Sequence, residues 1–304
     1  MQKPLLVVVL GPTGVGKTAA AIALAQKFKT GILSADSRQF YKEIPIGTAQ
    51  PSQEELSAVK HFFIADHTIT DAIDAGRYGR EARAILEREF ENNRVMIMAG
   101  GSGLYIDAVV NGFDALPDAD AALREDLQNA FEEKGIGVLQ EELKKLDPEF
   151  YEAIDKNNPS RLIRAIEVCR LSGKKYSDLR VGKSDTLPFR VIKIGLDLPR
   201  EELYARINQR VEEMMKNGLE EEARAVFAHR KLNALQTVGY KELFDFFDGT
   251  ITREKAVELI KQHSRNYAKR QLTWWRRDGE VRWFKPGEIF FIEELIMNDL
   301  QINN

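Results

Sequence analysis

Eight residues near the start of the chain, Gly11-Pro12-Thr13-Gly14-Val15-Gly16-Lys17-Thr18, constrain the fold more than anything after them. They match G-x-x-x-x-G-K-[ST] and stand between an unbroken aliphatic run, Leu5–Leu10, and an Ala- and Leu-rich stretch with helical spacing over residues 18–28. Strand, glycine-rich turn and helix is the context in which this motif binds phosphate. The glycines let the backbone curl so that successive N–H groups point inward, and the helix N-terminus adds its partial positive charge. Lys17 then neutralises the outer phosphate, and the Thr18 hydroxyl helps to hold Mg²⁺. The loop does not name its own ligand. ATP or another nucleoside triphosphate is the default occupant, yet any diphosphate fits the same cradle.

The rest of the first half alternates in the same way, with apolar runs of strand length at residues 31–34, 61–65 and 95–99 and a helical pattern over 77–91. Such alternation implies an α/β fold with a parallel sheet flanked by helices. After Asn111-Gly112 and Pro117 only helical patterns follow, over 119–134, 137–145 and 159–171, and strand character returns at 191–198 behind a loose segment at 182–188. The expectation is a P-loop NTPase-like core built from residues 1–113 and 189–304, the later part mostly helical with a short strand at 281–284, and a helical insertion domain at 114–188. A chain of 304 residues with 43% hydrophobic and 30% charged residues has the composition of a soluble globular protein. No apolar run is long enough to cross a bilayer, and the first one leads straight into the phosphate motif, so it reads as a strand and not a leader. The single cysteine, Cys169, excludes an internal disulfide and a Cys-based zinc site, and fits a reducing cytoplasm.

In an open parallel sheet, ligands bind at the carboxyl ends of the strands, so Asp36, just past the second strand, should face the phosphate loop. A carboxylate there has three possible roles: Mg²⁺ ligand, helix cap or base. Charge adds a second clue. The chain carries −3 overall, yet residues 251–287 hold ten Lys and Arg against four acids, about +6 in one segment. Lys261, Arg265 and Lys269 stand four apart, hence on one helix face. With Trp274, Trp275 and Trp283 nearby, this is a candidate polyanion footprint, set against the plainer reading of a solvated helix.

Six motifs in order are GPTGVGKT, ADSRQFYKEIPIGTAQP, AGGSGLY at 99–105, NPSRLIRAIEV at 158–168, QTVGYKE at 236–242 and AKRQLTWWRR at 268–277. Together they resemble the bacterial tRNA dimethylallyltransferases (IPP transferases), and the resemblance runs through nearly the whole chain. It implies that residues Gly11, Pro12, Thr13, Gly14, Val15, Gly16, Lys17 and Thr18 grip the diphosphate of dimethylallyl diphosphate with Mg²⁺, that Arg224 supplies an extra diphosphate contact, and that Asp36 is the general base. It also implies tRNA contacts at Asp36, Ser37, Arg38, Gln39, Ser102 and Arg124, at Ser160, Arg161, Leu162, Ile163 and Arg164, and at Gln236, Thr237, Val238, Gly239, Tyr240 and Lys241. The implied activity is prenyl transfer to the N6 amine of the adenosine 3′ to the anticodon, by a cytoplasmic monomer. Three rivals stay open on the residues alone: a nucleoside or small-metabolite kinase, an adenylate isopentenyltransferase acting on free nucleotide, and a nucleotide-gated RNA-binding switch.

Overall fold

The computed structural model describes residues 3–71, 73–112, 116–179 and 187–302. Among these described residues six strands form one sheet: β1 (Leu5–Leu10), β2 (Ile32–Ala35), β3 (His61–Phe62), β4 (Val95–Gly100), β5 (Arg190–Leu196) and β6 (Arg282–Phe284), in the order β3-β2-β4-β1-β5-β6. Every pairing is parallel. Strand β1 lies in the middle, all six of its residues 0% exposed, which is why it reads as a continuous aliphatic run and not as an alternating one. The chain leaves β1 toward β2 on one side and later reaches β5 on the other. The carboxyl end of β1 is therefore a switch point of the topology, where open α/β sheets bind ligands.

The chain divides into two compact units, residues 1–110 with 187–304, and residues 111–186. The first holds the sheet, covered on both faces by helices that include Lys17–Phe28, Ala75–Glu89, Gly103–Val110, Arg200–Lys216, Leu219–Val226, Tyr240–Phe247, Arg253–Trp275 and Ile289–Ile302. The second is helical, with Ala121–Lys134, Gly137–Leu146, Pro148–Ala153, Pro159–Ser172 and Tyr176–Leu179 around a core of Leu127, Leu139, Leu143, Leu162, Ile163 and Ile166. The expected boundary at residue 114 and most of the loose segment at 182–188 lie outside the described residues.

Element ends differ from the periodicity for local reasons. The helix expected from residue 77 starts at Ala75, because the Asp74 side chain caps it by accepting from Arg77 N at 2.8 Å. In the helical unit, Asp120 does the same for the helix expected from 119, accepting from Leu123 N at 2.8 Å. The third strand stops at Phe62, well short of residue 65, since Phe63 and Ala65 take left-handed backbone angles (φ 63° and 50°) that no ladder accommodates. The short helix Gln53–Ala58 escaped the apolar reading because it buries nothing. Its signal is the capping box of Ser52 and Glu55.

Candidate functional site

The glycine-rich loop leaves the carboxyl end of β1 and ends as the N-terminus of the helix Lys17–Phe28. Glycine is required at its first position: at φ 145°, a Cβ on Gly11 would lie 2.5 Å from the Leu196 carbonyl oxygen. Pro12 is buried and Val15 packs into the core, so they shape the loop, while Thr13, Gly14, Gly16, Lys17 and Thr18 line a cavity of about 600 Å³. Lys17 Nζ donates to the Pro12 carbonyl at 2.8 Å. Burial pushes its ammonium down to about 8, with the Asp36 carboxylate opposing the shift and the Arg210 guanidinium adding to it.

Arg210, from the helix Arg200–Lys216, completes this cationic floor. Its Nη1 donates to Thr13 Oγ1 at 3.3 Å, and it lines the cavity with Arg206 and Gln209. Desolvation lowers its pKa, with Asp36 opposing. The sequence reading placed the extra diphosphate contact at Arg224 instead. The structure corrects this: Arg224 is exposed, pairs with Glu220 at 3.5 Å, stacks over the Phe247 ring at 4.0 Å and lines no cavity of the site.

Asp36 follows β2. Its Oδ1 accepts from Arg38 N at 3.0 Å, a turn that fixes the carboxylate where no helix begins, so the capping role reduces to this local bond. Ser102, after β4, accepts from Ser37 N at 3.1 Å and donates to Ser37 Oγ at 3.3 Å. Ser102 also bonds the hydroxyl of Tyr267, whose pKa burial raises to about 12, with the Asp36 carboxylate adding to the rise. Arg38 donates from both Nη atoms to Asn233 Oδ1 at 3.2 Å. Gln39 serves the loop itself: its amide donates to the Thr48 and Ala49 carbonyls at 3.2 and 3.0 Å, and it lines the phosphate-side cavity.

A second cavity, about 670 Å³, also reaches Asp36 and is lined in part by Ser37, Arg38, Gln236, Thr237, Val238, Gly239 and Lys241. Tyr240 is the exception in that segment. It is buried, its hydroxyl donates to Glu222, and a Cβ on Gly47 would lie 2.4 Å from its oxygen. Its part is to hold the wall, not to face the cavity. Glu222 also accepts from Ile46 N and Gly47 N, both at 2.8 Å, and so pins the loop after β2.

The basic helix Arg253–Trp275 presents a different face from the one its charges suggest. Lys261 pairs with Glu212 and Glu258, and Arg265 donates to Asn208 at 2.6 Å, so that face packs on the helix Arg200–Lys216. The residues of this helix that line the second cavity are Leu259, Ile260, His263, Ser264, Asn266, Tyr267 and Arg270. His263 donates from Nδ1 to the buried Glu242 carboxylate at 2.5 Å. Of the tryptophans, Trp275 is buried and Trp283 packs against the core, and only Trp274, 43% exposed, offers an open surface. The two cavities share Thr13, Asp36, Thr48, Arg210 and Tyr267. Among the described residues, no group of three His, Cys, Asp or Glu gathers to hold a metal ion.

The remaining expected contacts belong to the helical unit. Leu162 and Ile163 are core residues there, which removes them as surface contacts, while Ser160 and Arg161 are exposed. Arg124 and Arg164 converge on Glu167, which is 0% exposed: Arg124 Nε lies 2.8 Å from Oε1 and Arg164 Nη1 2.6 Å from Oε2, and Asp120 N donates at 2.9 Å. Glu167→Ala removes the carboxylate that two partly exposed guanidiniums and Asp120 N share, and is expected to destabilise this unit by about 1–3 kcal/mol. Urea unfolding followed by circular dichroism checks it, and a midpoint unchanged from the unsubstituted protein would refute it.

Residues 39–278 match the IPP transferase family model. The tRNA dimethylallyltransferase of Cytophaga hutchinsonii is 50% identical over 97% of both chains. The chain belongs to the IPP transferase family. Solved members share its fold. A tRNA isopentenylpyrophosphate transferase from Bacillus halodurans superposes with a TM-score of 0.73 at 34% identity, over 99% of this chain and 98% of that one. A eukaryotic dimethylallyltransferase described as acting on tRNA gives 0.77 at 25% identity, over 93% and 74%. Membership sets aside the small-metabolite kinase and the RNA switch. Arg210 and Tyr267 lie outside all six motifs, and Gln271 lies inside AKRQLTWWRR without being marked there as a site residue. The signal for the first two is helical spacing: Tyr267 stands four before Gln271, and Arg206 four before Arg210.

Proposed function

We propose that this enzyme transfers a dimethylallyl group from dimethylallyl diphosphate, held in the phosphate-loop cavity, to the N6 amine of a tRNA adenosine that enters through the second cavity. The acceptor is the adenosine 3′ to the anticodon in tRNAs reading codons that begin with U, and the product is N6-(dimethylallyl)adenosine. The observation that carries this reading is that the two cavities meet at Asp36, Thr13, Arg210 and Tyr267. Donor and acceptor then approach one carboxylate.

The adenine amine is a weak nucleophile because its lone pair is delocalised into the ring. If its N–H is about as weak an acid as water, the gap to an ordinary Asp is about 12 pK units, or about 16 kcal/mol, so no free anion forms. Asp36 instead accepts the proton as positive charge grows on nitrogen during C–N bond formation. Breaking the allylic C–O bond leaves charge on the diphosphate, where Lys17, Arg210 and the loop N–H groups stand ready. The residues present fit Mg²⁺: such an ion takes most of its ligands from substrate phosphates and water, and the Thr18 hydroxyl lines the same cavity. When bound, it further neutralises the leaving group. A base reaching Asp36 has left its stack, which costs a few kcal/mol and less in a single-stranded loop such as the anticodon loop. No helix among the described residues is long and apolar enough to cross a membrane.

Radiolabelled dimethylallyl diphosphate, incubated with the protein, Mg²⁺ and either unmodified tRNA or AMP, is expected to label tRNA alone. Label in AMP would reassign the acceptor to free nucleotide. Donor affinity should also follow Lys17. Its pKa in the free protein is about 8, and a bound diphosphate favours the ammonium. Affinity is therefore flat below that value and weakens above it, toward about tenfold per pH unit. Calorimetric titration from about pH 7 to about 9.5 checks this, with Lys17→Arg expected to remove the break.

A further inference from the structure

Gln271 is polar, yet only 6% exposed, and it stands where the helix Arg253–Trp275 meets the strand-end loops. Both ends of its amide are engaged across that junction. Oε1 accepts from Thr13 N at 2.8 Å in the phosphate loop, and Nε2 donates to the Gly101 carbonyl at 2.9 Å in the turn after β4. The approach is close enough that a Cβ on Gly101 would lie 2.1 Å from Nε2. A buried amide is tolerated only when its groups are paired, and pairing of this kind fixes geometry far more tightly than an apolar side chain does.

The same helix lines the second cavity through His263, Ser264, Tyr267 and Arg270. Thr13, held by Gln271 through its N–H, holds Arg210 through its hydroxyl. Two hydrogen bonds, both made by Thr13, therefore link the helix Arg253–Trp275 through Gln271 to the Arg210 guanidinium, which reaches both cavities. We propose that Gln271 is a positioning residue that couples occupancy of the RNA cavity to the phosphate loop's grip on the donor. This rests on the two-cavity reading above. RNA seated against His263, Tyr267 and Arg270 fixes the helix, the helix fixes Thr13 through Gln271, and Thr13 presents Arg210 to the diphosphate. The coupling is reciprocal, so donor tightens RNA by the same factor.

The test is a calorimetric cycle with dimethylallyl diphosphate and an anticodon stem-loop RNA carrying purine riboside, which has no amine to react, at the target position. In the unsubstituted protein the RNA is expected to tighten donor binding about tenfold, within the usual range for coupled sites. Gln271→Met removes both bonds. Gly101→Ala, at a position where the backbone is not left-handed, pushes the amide away from a different direction. Both variants are expected to bind each partner alone within about threefold of the unsubstituted affinity, while the tightening factor falls to about one. Retention of the factor in either variant, a factor of one in the unsubstituted protein, or a parallel loss of both separate affinities would each overturn the proposal. If the unsubstituted protein bound neither donor nor RNA, the two-cavity reading itself would fall, a result distinct from uncoupled binding of both.

Discussion

Asp36→Ala is expected to lower the single-turnover rate of transfer by about 10²–10⁴, with RNA binding nearly unchanged. Donor binding should tighten, because the carboxylate sits in the field of Lys17 and Arg210 and its charge opposes that of the diphosphate. A rate that falls while affinity rises separates a proton acceptor from a binding residue. Asp36→Asn sharpens the point. Its amide oxygen can still accept from Arg38 N and keep the turn, but it takes up no proton. The asparagine variant should therefore lose as much rate as the alanine one. Near-normal turnover in either would remove Asp36 as the acceptor of the amine proton.

Lys17→Ala acts on the leaving group. The ammonium lies at the base of the loop, bonded to Pro12 O and lining the donor cavity. Its loss should lower kcat/KM for the donor by about 10²–10³, the magnitude for removing one preorganised donor from a developing anion. Because Lys17 lines only the phosphate-side cavity, RNA affinity should not follow. Unchanged donor kinetics would show that the loop is not the donor site.

The two residues behind these predictions could be read from the sequence because each lies in a short window with its own geometry. The phosphate motif carries its strand and helix with it, and Asp36 follows directly on a strand whose carboxyl end must face the same way as that of β1. Arg210 has no such window, and Gln271 stands inside AKRQLTWWRR without being singled out by it. Each sits in a long helix whose pattern does not say what the side chain reaches, and they meet Thr13 because the chain crosses the sheet and returns. Lys261 and Arg265 misled for the same reason: spacing placed them on one face, but not which neighbour that face meets. Tyr240, Leu162 and Ile163 lie inside motifs, and a motif does not distinguish residues that face a ligand from those that hold the wall behind it.

The all-parallel sheet also shapes how this chain comes to exist. Leu5 in β1 is flanked by Val95 on one side and Arg190 on the other, so the central strand waits about 185 residues for its second neighbour. At roughly 5–20 residues per second of synthesis, that edge stays open for about 10–40 s. Throughout that interval the nascent chain carries an aliphatic strand with an unpaired border, a template for association with other chains. The strand that anchors the phosphate loop in the finished enzyme is, on the ribosome, an open edge until β5 is made.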